Sequence, residues 1–402
     1  MDIEQANTER LDTEMKAERP IIYLDHAATS WPKPPAVYEA VLHALQYDAA
    51  NPGRGSHRMA VKASRVLFDC RKVLGKLLNV RNPVDIAFTG NTTMALNMAI
   101  QGFLETGDHV IATMTEHNSV WRPLEALKEA LQLQVDYIPV DRQGQLNLQQ
   151  LDKTFRSNTR LLICNHSSNL LGSILPAAEL AEMAHRRGAR ILLDIAQSAG
   201  HIPVSLEEWK IDMAAFPGHK GLLGPQGTGG LYIAPDMELK PWIYGGTGSQ
   251  SESSGQPAVR PDRYEPGTPN TPGIAGLAAG VRHVLEQSVA DIANQEQQLS
   301  HQMMEGLLSI PGVQVLGPEL GRERTGIVSF IMEHQDPSQI AFRLDREFGI
   351  AVRAGMHCTP LAHQSAGTIG TGAVRASIGY GSTADQVQTL IEAVQWLSRQ
   401  DN

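Results

Sequence analysis

A lysine lies directly after a short apolar run and inside a loop crowded with glycine, in the segment AFPGHKGLLGPQGTGG at residues 215–230. Residues 212–216 predict a buried strand, which places Lys220 at the carboxyl end of that strand, where open α/β sheets bind ligands. A lysine beside a histidine in a desolvated pocket can lose its proton and form a Schiff base with an aldehyde. For this segment alone, a surface lysine in a glycine-rich turn is an equally good interpretation.

Polar residues also follow four earlier predicted strands, at residues 85–89, 109–113, 161–164 and 189–193. Helical segments separate several of these strands, so the pattern predicts a mostly parallel sheet with helices on both faces. The carboxyl ends of parallel strands meet at one edge, and the polar side chains should therefore converge there. Small hydroxyl residues at a helix start can hold a phosphate or act as a plain N-cap. The converging residues are Thr92, Thr93, His117, Asn169, Asp194 and Gln197.

An aldehyde cofactor with a phosphate and a basic ring nitrogen would use all of these groups, and pyridoxal phosphate is the cofactor that fits. Lys220 would hold it as a Schiff base, and Asp194 would keep its ring nitrogen protonated so that the ring accepts electrons. His117 could stack on the ring, and Gln197 could donate to the phenolic oxygen. Without a cofactor, Asp194 could instead cap the N-terminus of a helix, and His117 could be a loop histidine whose hydrogen bonds are satisfied within the protein.

The composition describes an ordinary globular protein of 402 residues with a formal charge of -9. That charge argues against nucleic acid and anionic membranes as partners. Three widely spaced cysteines form neither a disulfide framework nor a metal-ligand cluster, so we expect a reducing cytoplasm and no metal. No segment is apolar and long enough for a signal peptide or a membrane span, and residues 1–20 read as a polar arm.

The chain is predicted to form two domains after this arm. Residues 21–280 would form a large α/β cofactor-binding domain. Residues 281–402 would form a smaller α+β domain, which begins with one long helix from Val281 to Leu308 and carries a loop with Cys358.

Seven motifs in order along the chain carry a family resemblance. They are YLDHAAT at 23–29, TEHNS at 115–119, SNLLG at 168–172, DIAQ at 194–197, GHK at 218–220, EPGTPNT at 265–271 and RAGMHC at 353–358. With them the chain resembles class V, fold-type I pyridoxal-phosphate enzymes, and more narrowly the cysteine desulfurase and selenocysteine lyase group. The resemblance extends from Tyr23 to the last helix.

For the cofactor, the resemblance implies that Thr93, with Thr92 nearby, and His219 bind the phosphate. Thr268 would reach the phosphate of a neighbouring subunit, which implies a homodimer with two shared sites. One departure is Pro217, which stands where many desulfurases carry a phosphate-binding serine. Water or Thr92 would have to replace that donor.

For the substrate, the resemblance implies that Arg375 grips the carboxylate through its bidentate fork, with Asn169 as a second contact and Arg353 also facing the substrate. Cys358 would attack the sulfur of the bound cysteine and keep it as a persulfide. Gly355 and the small residues beside this cysteine would allow a mobile loop, and Arg353 and His357 could favour its thiolate. Without the family, an ordinary buried cysteine is the better interpretation, and it is the one we keep for Cys70 and Cys164.

The leading hypothesis is a cytoplasmic homodimeric cysteine desulfurase that passes sulfur from Cys358 to an acceptor protein. A selenocysteine lyase would share the fold and cofactor but depend less on Cys358, because selenide leaves more easily. Another aminotransferase or lyase of the same fold would make Cys358 incidental. His363, an additional titratable group near the cysteine, indicates a divergent branch. A non-enzymatic protein would have no need of Lys220, Asp194 and Arg375 together.

Overall fold

A seven-stranded sheet forms the centre of the protein in this computed structural model, which describes residues 21–53, 55 and 57–400. The predicted polar arm at residues 1–20 lies outside the described residues. A two-residue strand, β1 (Ile22–Tyr23), stands apart from this sheet. The strands of the sheet are, in chain order, β2 (Ile86–Thr89), β3 (His109–Thr113), β4 (Gln134–Ile138), β5 (Thr159–Asn165), β6 (Arg190–Asp194), β7 (Met213–Pro217) and β8 (Gly229–Ile233).

The order across the sheet is β2-β8-β7-β6-β5-β3-β4, and only β8 runs against the others. The prediction of a mostly parallel sheet is therefore confirmed, and the five predicted strands end at the same edge. The sequence pattern missed β4 and β8. The glycines of β8 suggested a loop, but a Cβ on Gly230 would lie 2.5 Å from the Phe216 ring. Close packing of two neighbouring strands, rather than a turn, requires glycine there.

Helices connect these strands and pack against the sheet. The segment before β2 forms α1 (Pro35–His43) and α2 (Arg58–Leu78), and the later connections form α3 (Thr92–Phe103), α4 (Asn118–Ala130), α5 (Leu148–Thr154), α6 (Ala177–Arg186) and α7 (Thr271–Gln287). The Asn91 side chain caps α3 by accepting from the Met94 amide, while Leu96 and Ile100 of α3 are fully buried. None of the helices in the described part of the chain combines the length and apolar character that crossing a membrane requires.

The remaining elements surround a second apolar core with a four-stranded antiparallel sheet of order β12-β13-β10-β9. The short strand β1 pairs in parallel with β11, which ties the start of the described chain to this second core. The elements are α8 (Val289–Leu308), β9 (Val313–Leu316), β10 (Ile327–Met332), α9 (Pro337–Phe348), β11 (Ile350–Ala351), β12 (Arg353–Gly355), α10 (Pro360–Ala366), β13 (Ala373–Ser377) and α11 (Ala384–Gln400).

The predicted single helix from Val281 to Leu308 is wrong, because the chain breaks at Ser288 into α7 and α8. Ser288 has φ +67°, which a continuous right-handed helix cannot contain. Val281 of α7 packs in the first core and Leu299 of α8 in the second. The predicted domain limits at residues 20/21 and 280/281 stay a prediction.

Candidate active site

A cavity of about 220 Å³ lies beyond the carboxyl ends of the parallel strands. Asn165 is the last residue of β5 and Asp194 the last of β6, while Lys220 follows β7 by three residues. Thr268 is exposed and does not line the cavity, so its predicted role in a neighbouring subunit stays a prediction. The structure brings the other predicted residues together in the cavity wall: Thr92, Thr93, His117, Asn169, Asp194, Gln197, His219, Lys220, Arg353, Cys358 and Arg375.

The Lys220 backbone is held in a tight turn. Ser30 Oγ donates to the carbonyl of Lys220 at 2.9 Å, and Lys33 Nζ donates to the carbonyl of His219 at 2.9 Å. A Cβ on Gly221 would lie 2.5 Å from the Ala199 carbonyl oxygen, so only glycine allows this approach. The turn therefore fixes the point from which the Lys220 side chain enters the cavity.

Burial lowers the pKa of Lys220 to about 8, opposed by Asp194 and reinforced by Arg375 and Arg353. A substantial fraction of the amine is then neutral near physiological pH. Because only the neutral amine attacks a carbonyl carbon, the cavity prepares Lys220 for bond formation with an aldehyde.

Asp194 offers a buried carboxylate on the floor of the cavity, with 5% of its surface exposed. Its Oδ1 accepts from the Ala196 amide at 2.9 Å. Burial raises the pKa of Asp194, while the Ala196 hydrogen bond and the charge of Lys220 lower it. The carboxylate is therefore poorly solvated and suited to accept a hydrogen bond from a protonated ring nitrogen. Gln197 donates one amide hydrogen to the Ala27 carbonyl at 3.0 Å, which anchors its side chain beside the cavity.

His117 is the N-cap of α4. Its Nδ1 accepts from the Ser119 amide at 3.1 Å, so in the neutral ring the proton lies on Nε2. Burial lowers the pKa of His117 to about 4, with further lowering by the charges of Lys220 and Arg122. The imidazole is therefore neutral and can present a flat face to an aromatic ring.

The hydroxyls near the start of α3 form a polar cluster. Thr93 Oγ1 lies 2.7 Å from Ser119 Oγ, and His219 Nδ1 lies 3.1 Å from Thr29 Oγ1. The first-turn amides of α3 and its dipole add an anion-binding character. Pro217 is a buried residue of β7 without an N–H, and Ser119 supplies a hydroxyl that the sequence analysis did not assign.

Arg375 lies in the cavity wall and is held on two sides. One terminal nitrogen donates to Asp25 at 3.0 Å and the other to the Asn169 carbonyl at 3.0 Å. Arg375 Nε and Asn169 Oδ1 are buried and have no partner among the described residues. An unpaired guanidinium N–H beside the cavity is suited to a carboxylate, because a buried donor without an acceptor costs free energy that a ligand removes.

Cys358 lies in a tight turn between β12 and α10. His357 and Cys358 have φ values of +49° and +56°, two successive left-handed residues that are not glycine. Hydrogen bonds compensate this strain: the Asn118 amide donates to the Cys358 carbonyl at 2.7 Å, and Asn169 Nδ2 donates to the His357 carbonyl at 2.7 Å. The exposed thiol is thus presented at the cavity wall by a fixed backbone.

The expectation that His357 favours the thiolate is wrong. Burial, with Arg375 and His363 nearby, lowers the pKa of His357 to about 3, so the ring carries no charge at neutral pH. It stacks on His363 with ring centroids 5.6 Å apart and planes 12° apart. Burial lowers the pKa of the neighbouring Arg375 guanidinium, while Asp25 and, to a smaller extent, Cys358 raise it.

Comparison with known proteins decides the family. The family model for class V aminotransferases matches residues 22–390. A cysteine desulfurase of Escherichia coli is 33% identical over 391 residues, covering 94% of each chain, and a probable cysteine desulfurase of Methanothermobacter thermautotrophicus is 33% identical, covering 96% of this chain and 97% of that protein. The chain belongs to the class V aminotransferase family, in its cysteine desulfurase branch.

Solved structures agree with this class V assignment. The apo cysteine desulfurase of Thermococcus onnurineus superposes with a TM-score of 0.88 at 33% identity, covering 94% of this chain and 95% of that chain. A C-DES mutant with glycine covalently linked to its PLP cofactor superposes with a TM-score of 0.81 at 25% identity, covering 93% and 96%. The fold-type I architecture is therefore confirmed.

Two acidic residues of this class V protein were inside the recognised motifs but had no role assigned. Asp25 of the YLDHAAT motif holds Arg375, as described above. Glu116 of the TEHNS motif is fully buried, accepts from the Asn165 amide at 2.8 Å, and has its pKa raised to about 8 by burial. Residue type alone does not show that these two carboxylates are held by protein groups and not exposed to solvent. In the described residues, no three metal-ligating side chains form a group that could hold a metal ion.

Buried neutral histidines should make the folded protein sensitive to acid. For six of them burial lowers the pKa below 6.5, so between pH 6.5 and 4 the unfolded chain binds more protons and the free energy of unfolding falls, by about 1.4 kcal/mol per pH unit for each proton. Glu116, His201, Asp85, Asp194 and Glu265 have raised pKa values and act in the opposite direction, whereas buried His109, whose pKa is also lowered, adds to the six. The six are His26, His117, His166, His219 and His363, near pKa 4, and His357, near 3.

Urea unfolding at pH 7.5 and 5.5 measures this effect, and we expect a clearly lower midpoint at pH 5.5. In His166→Gln, which removes one buried imidazole outside the cavity, the pH dependence should fall by about one proton. An unchanged midpoint between the two pH values would show that these rings are not held neutral.

Proposed function

We propose that this protein is a pyridoxal-phosphate-dependent cysteine desulfurase that converts L-cysteine to L-alanine and retains the sulfur as a persulfide on Cys358. One observation carries the proposal: a fixed, exposed thiol shares one small cavity with a lysine of lowered pKa and an arginine with an unpaired buried N–H. The desulfurases to which the chain is similar support the same activity.

The residues of the cavity fit the cofactor. Lys220 Nζ would bind its aldehyde, and Asp194 its ring nitrogen. The first turn of α3 would hold its phosphate together with His219, and His117 would cover the ring. When bound, pyridoxal phosphate supplies an imine linkage to the substrate amine and a ring that accepts the electron pair released at the α-carbon.

The chain then supplies binding, proton transfer and the nucleophile. Arg375 holds the substrate carboxylate, which orients the α-hydrogen and the sulfur. Lys220 Nζ, part of which is neutral because of its lowered pKa, accepts the α-proton and later returns it to the α-carbon, while the proton released by the Cys358 thiol goes to the carbon that becomes the methyl group of alanine. The Cys358 thiolate forms a bond to the substrate sulfur as the carbon–sulfur bond breaks, which leaves the persulfide on Cys358.

A homodimer and a cytoplasmic location belong to the same proposal. Tyr38 and Leu42 of α1, with Leu45 and Tyr47 just beyond it, each expose more than half of their surface, and such a row of large apolar residues is suited to a subunit contact. Exposed Thr268 would act across that contact. The three free cysteines fit a reducing compartment, where an exposed catalytic thiol stays reduced.

Product analysis with the purified holoenzyme tests the proposal. With L-cysteine and a reductant we expect alanine and sulfide in equal amounts, since each persulfide formed is released once. Selenide and alanine from L-selenocysteine, with no alanine from L-cysteine, would instead identify a selenocysteine lyase. Absence of alanine from both substrates would overturn sulfur chemistry altogether.

A further inference from the structure

The turn that carries Lys220 has open space on two sides. Lys220 lines the active-site cavity, whereas Gly221 and Leu223, which follow in the same turn, line a second cavity of about 450 Å³. The turn is therefore a thin wall between two spaces, and it has less side-chain packing behind it than a residue in a filled core. The position of the Lys220 amine thus depends on what supports the turn from the far side.

The imidazole of His201 supplies this support. A Cβ on Gly221 would lie 2.5 Å from His201 Cδ2 and 2.7 Å from His201 Nε2, so the ring lies directly against the backbone of the turn. The preceding Gly200 has φ +85°, and a Cβ there would collide with the Gly221 carbonyl. His201 follows Asp194 in the loop after β6. One ring therefore contacts the lysine turn and belongs to the segment that carries the carboxylate for the cofactor.

Glu296 of α8 holds this imidazole. His201 Nδ1 lies 2.8 Å from Glu296 Oε1 and 3.1 Å from Glu296 Oε2, and only 8% and 5% of the surfaces of the two residues are exposed. Among the described residues, neither carboxylate oxygen has another hydrogen-bond partner. Burial lowers the pKa of His201, but the charge of Glu296 and its hydrogen bond raise that pKa by more, against the charge of Lys220. The pair thus connects the lysine turn to a helix that packs in the second core from Leu299 onward.

We propose that His201 and Glu296 are positioning residues, which hold the Lys220 turn so that its amine reaches both the cofactor aldehyde and the α-proton. The second of these tasks rests on the proposed desulfurase activity. Neither residue lines the active-site cavity, so both act through Lys220 and not on the substrate. Without the carboxylate, the ring is free to turn into the second cavity and the lysine backbone can follow it. A misplacement of about 1 Å at a reacting group can cost about a hundredfold in rate.

Three variants of the holoenzyme test the pair. In Glu296→Ala we expect kcat for alanine formation to fall about tenfold or more, while KM for L-cysteine changes by less than about twofold. KM should hold because Arg375 keeps its two contacts and still binds the substrate carboxylate. Glu296→Gln keeps an oxygen that accepts from His201 Nδ1–H, so kcat should stay within about threefold of wild type. His201→Asn keeps a donor for Glu296 but loses the ring against Gly221, so its kcat should fall even if Glu296→Ala does not fold.

The visible circular dichroism of the bound cofactor gives a readout that needs no turnover. A cofactor fixed by one lysine in an asymmetric site gives such a signal, and its ratio to the absorbance at the same wavelength cancels incomplete loading. We expect this ratio to fall in Glu296→Ala and in His201→Asn, and to be kept in Glu296→Gln.

Asp85→Ala is the matched control for the loss of a buried carboxylate. Asp85 pairs with Arg260 at 3.1 Å and lies just before β2, at the sheet edge opposite the cavity. This variant should lose stability but keep kcat and the circular dichroism ratio. Wild-type values in His201→Asn, or equal losses in Asp85→Ala, would overturn the positioning role. If the wild-type protein releases no alanine from L-cysteine, the desulfurase proposal fails instead, and an unchanged circular dichroism ratio in His201→Asn would still refute the support of Lys220.

Discussion

Lys220→Ala is expected to abolish alanine formation from L-cysteine, with a loss of at least about a thousandfold. The amine has two tasks in the cavity, since it would bind the cofactor aldehyde and move the α-proton, and alanine can do neither. Lys220→Arg should fail as completely, because arginine keeps a cation in the cavity but stays protonated and cannot form the covalent bond. The absorption band of the cofactor linked to lysine should disappear in both variants.

Lys33→Met is the matched control. Lys33 is also partly buried and burial lowers its pKa to about 8, but its Nζ donates to Ser30 and to the His219 carbonyl and does not line the cavity. This variant removes one hydrogen bond of the turn that positions Lys220, so it should lower activity but keep the absorption band, because the covalent bond requires only the Lys220 amine. If the band disappeared in Lys33→Met and survived in Lys220→Ala, Lys33 would be the lysine that binds the cofactor, and the site as described would be refuted.

Cys358→Ala is expected to reduce L-cysteine turnover by about a thousandfold or more while L-selenocysteine cleavage falls by less than about tenfold. The carbon–sulfur bond needs a thiolate to take up the sulfur, whereas selenide leaves without one. Rates of alanine formation from the two substrates, measured side by side, give the comparison. Retention of L-cysteine turnover in this variant would make the thiol incidental and would favour another class V reaction.

Cys70→Ala is the control for cysteine loss in general. Cys70 is fully buried in the first core, and burial raises the pKa of its thiol, so it cannot act as a nucleophile at neutral pH. Its replacement should lower stability through a small cavity and leave the ratio of the two activities unchanged. A selective loss of L-cysteine turnover in Cys70→Ala would contradict the assignment of Cys358.

Much of the catalytic chemistry follows from local sequence. Asp194 and Lys220 were located because a parallel strand places whatever follows it at one edge of the sheet, and this depends on periodicity over only a few residues. The family resemblance assigned Arg375 and Cys358 to the same site, and both line the cavity. The structure brings all four residues into one cavity, while their proposed roles await the experiments above.

Other features depended on contacts between distant segments, which no local pattern contains. Gly229 and Gly230 indicated a loop until the packing against Phe216 showed why a buried strand contains them. The neutrality of His357 arises from burial among Arg375 and His363, and a motif does not specify burial. After the break at Ser288, α8 leaves the first apolar core, and from Leu299 onward it packs in the second.

The sequence by itself determined which strands end in polar residues, and residue type and spacing indicated the cofactor class, whereas Cys358 was singled out as the nucleophile only by the family resemblance. The tertiary structure alone decided the protonation of the cavity and the geometry of the cysteine. Asp25 reaches Arg375 across 350 positions of sequence, and Asn118 fixes the Cys358 carbonyl from a different sheet connection. Desolvation and long-range hydrogen bonds depend on what the folded chain places nearby, so only the fold shows that the Lys220 turn stands between the active-site cavity and a second cavity.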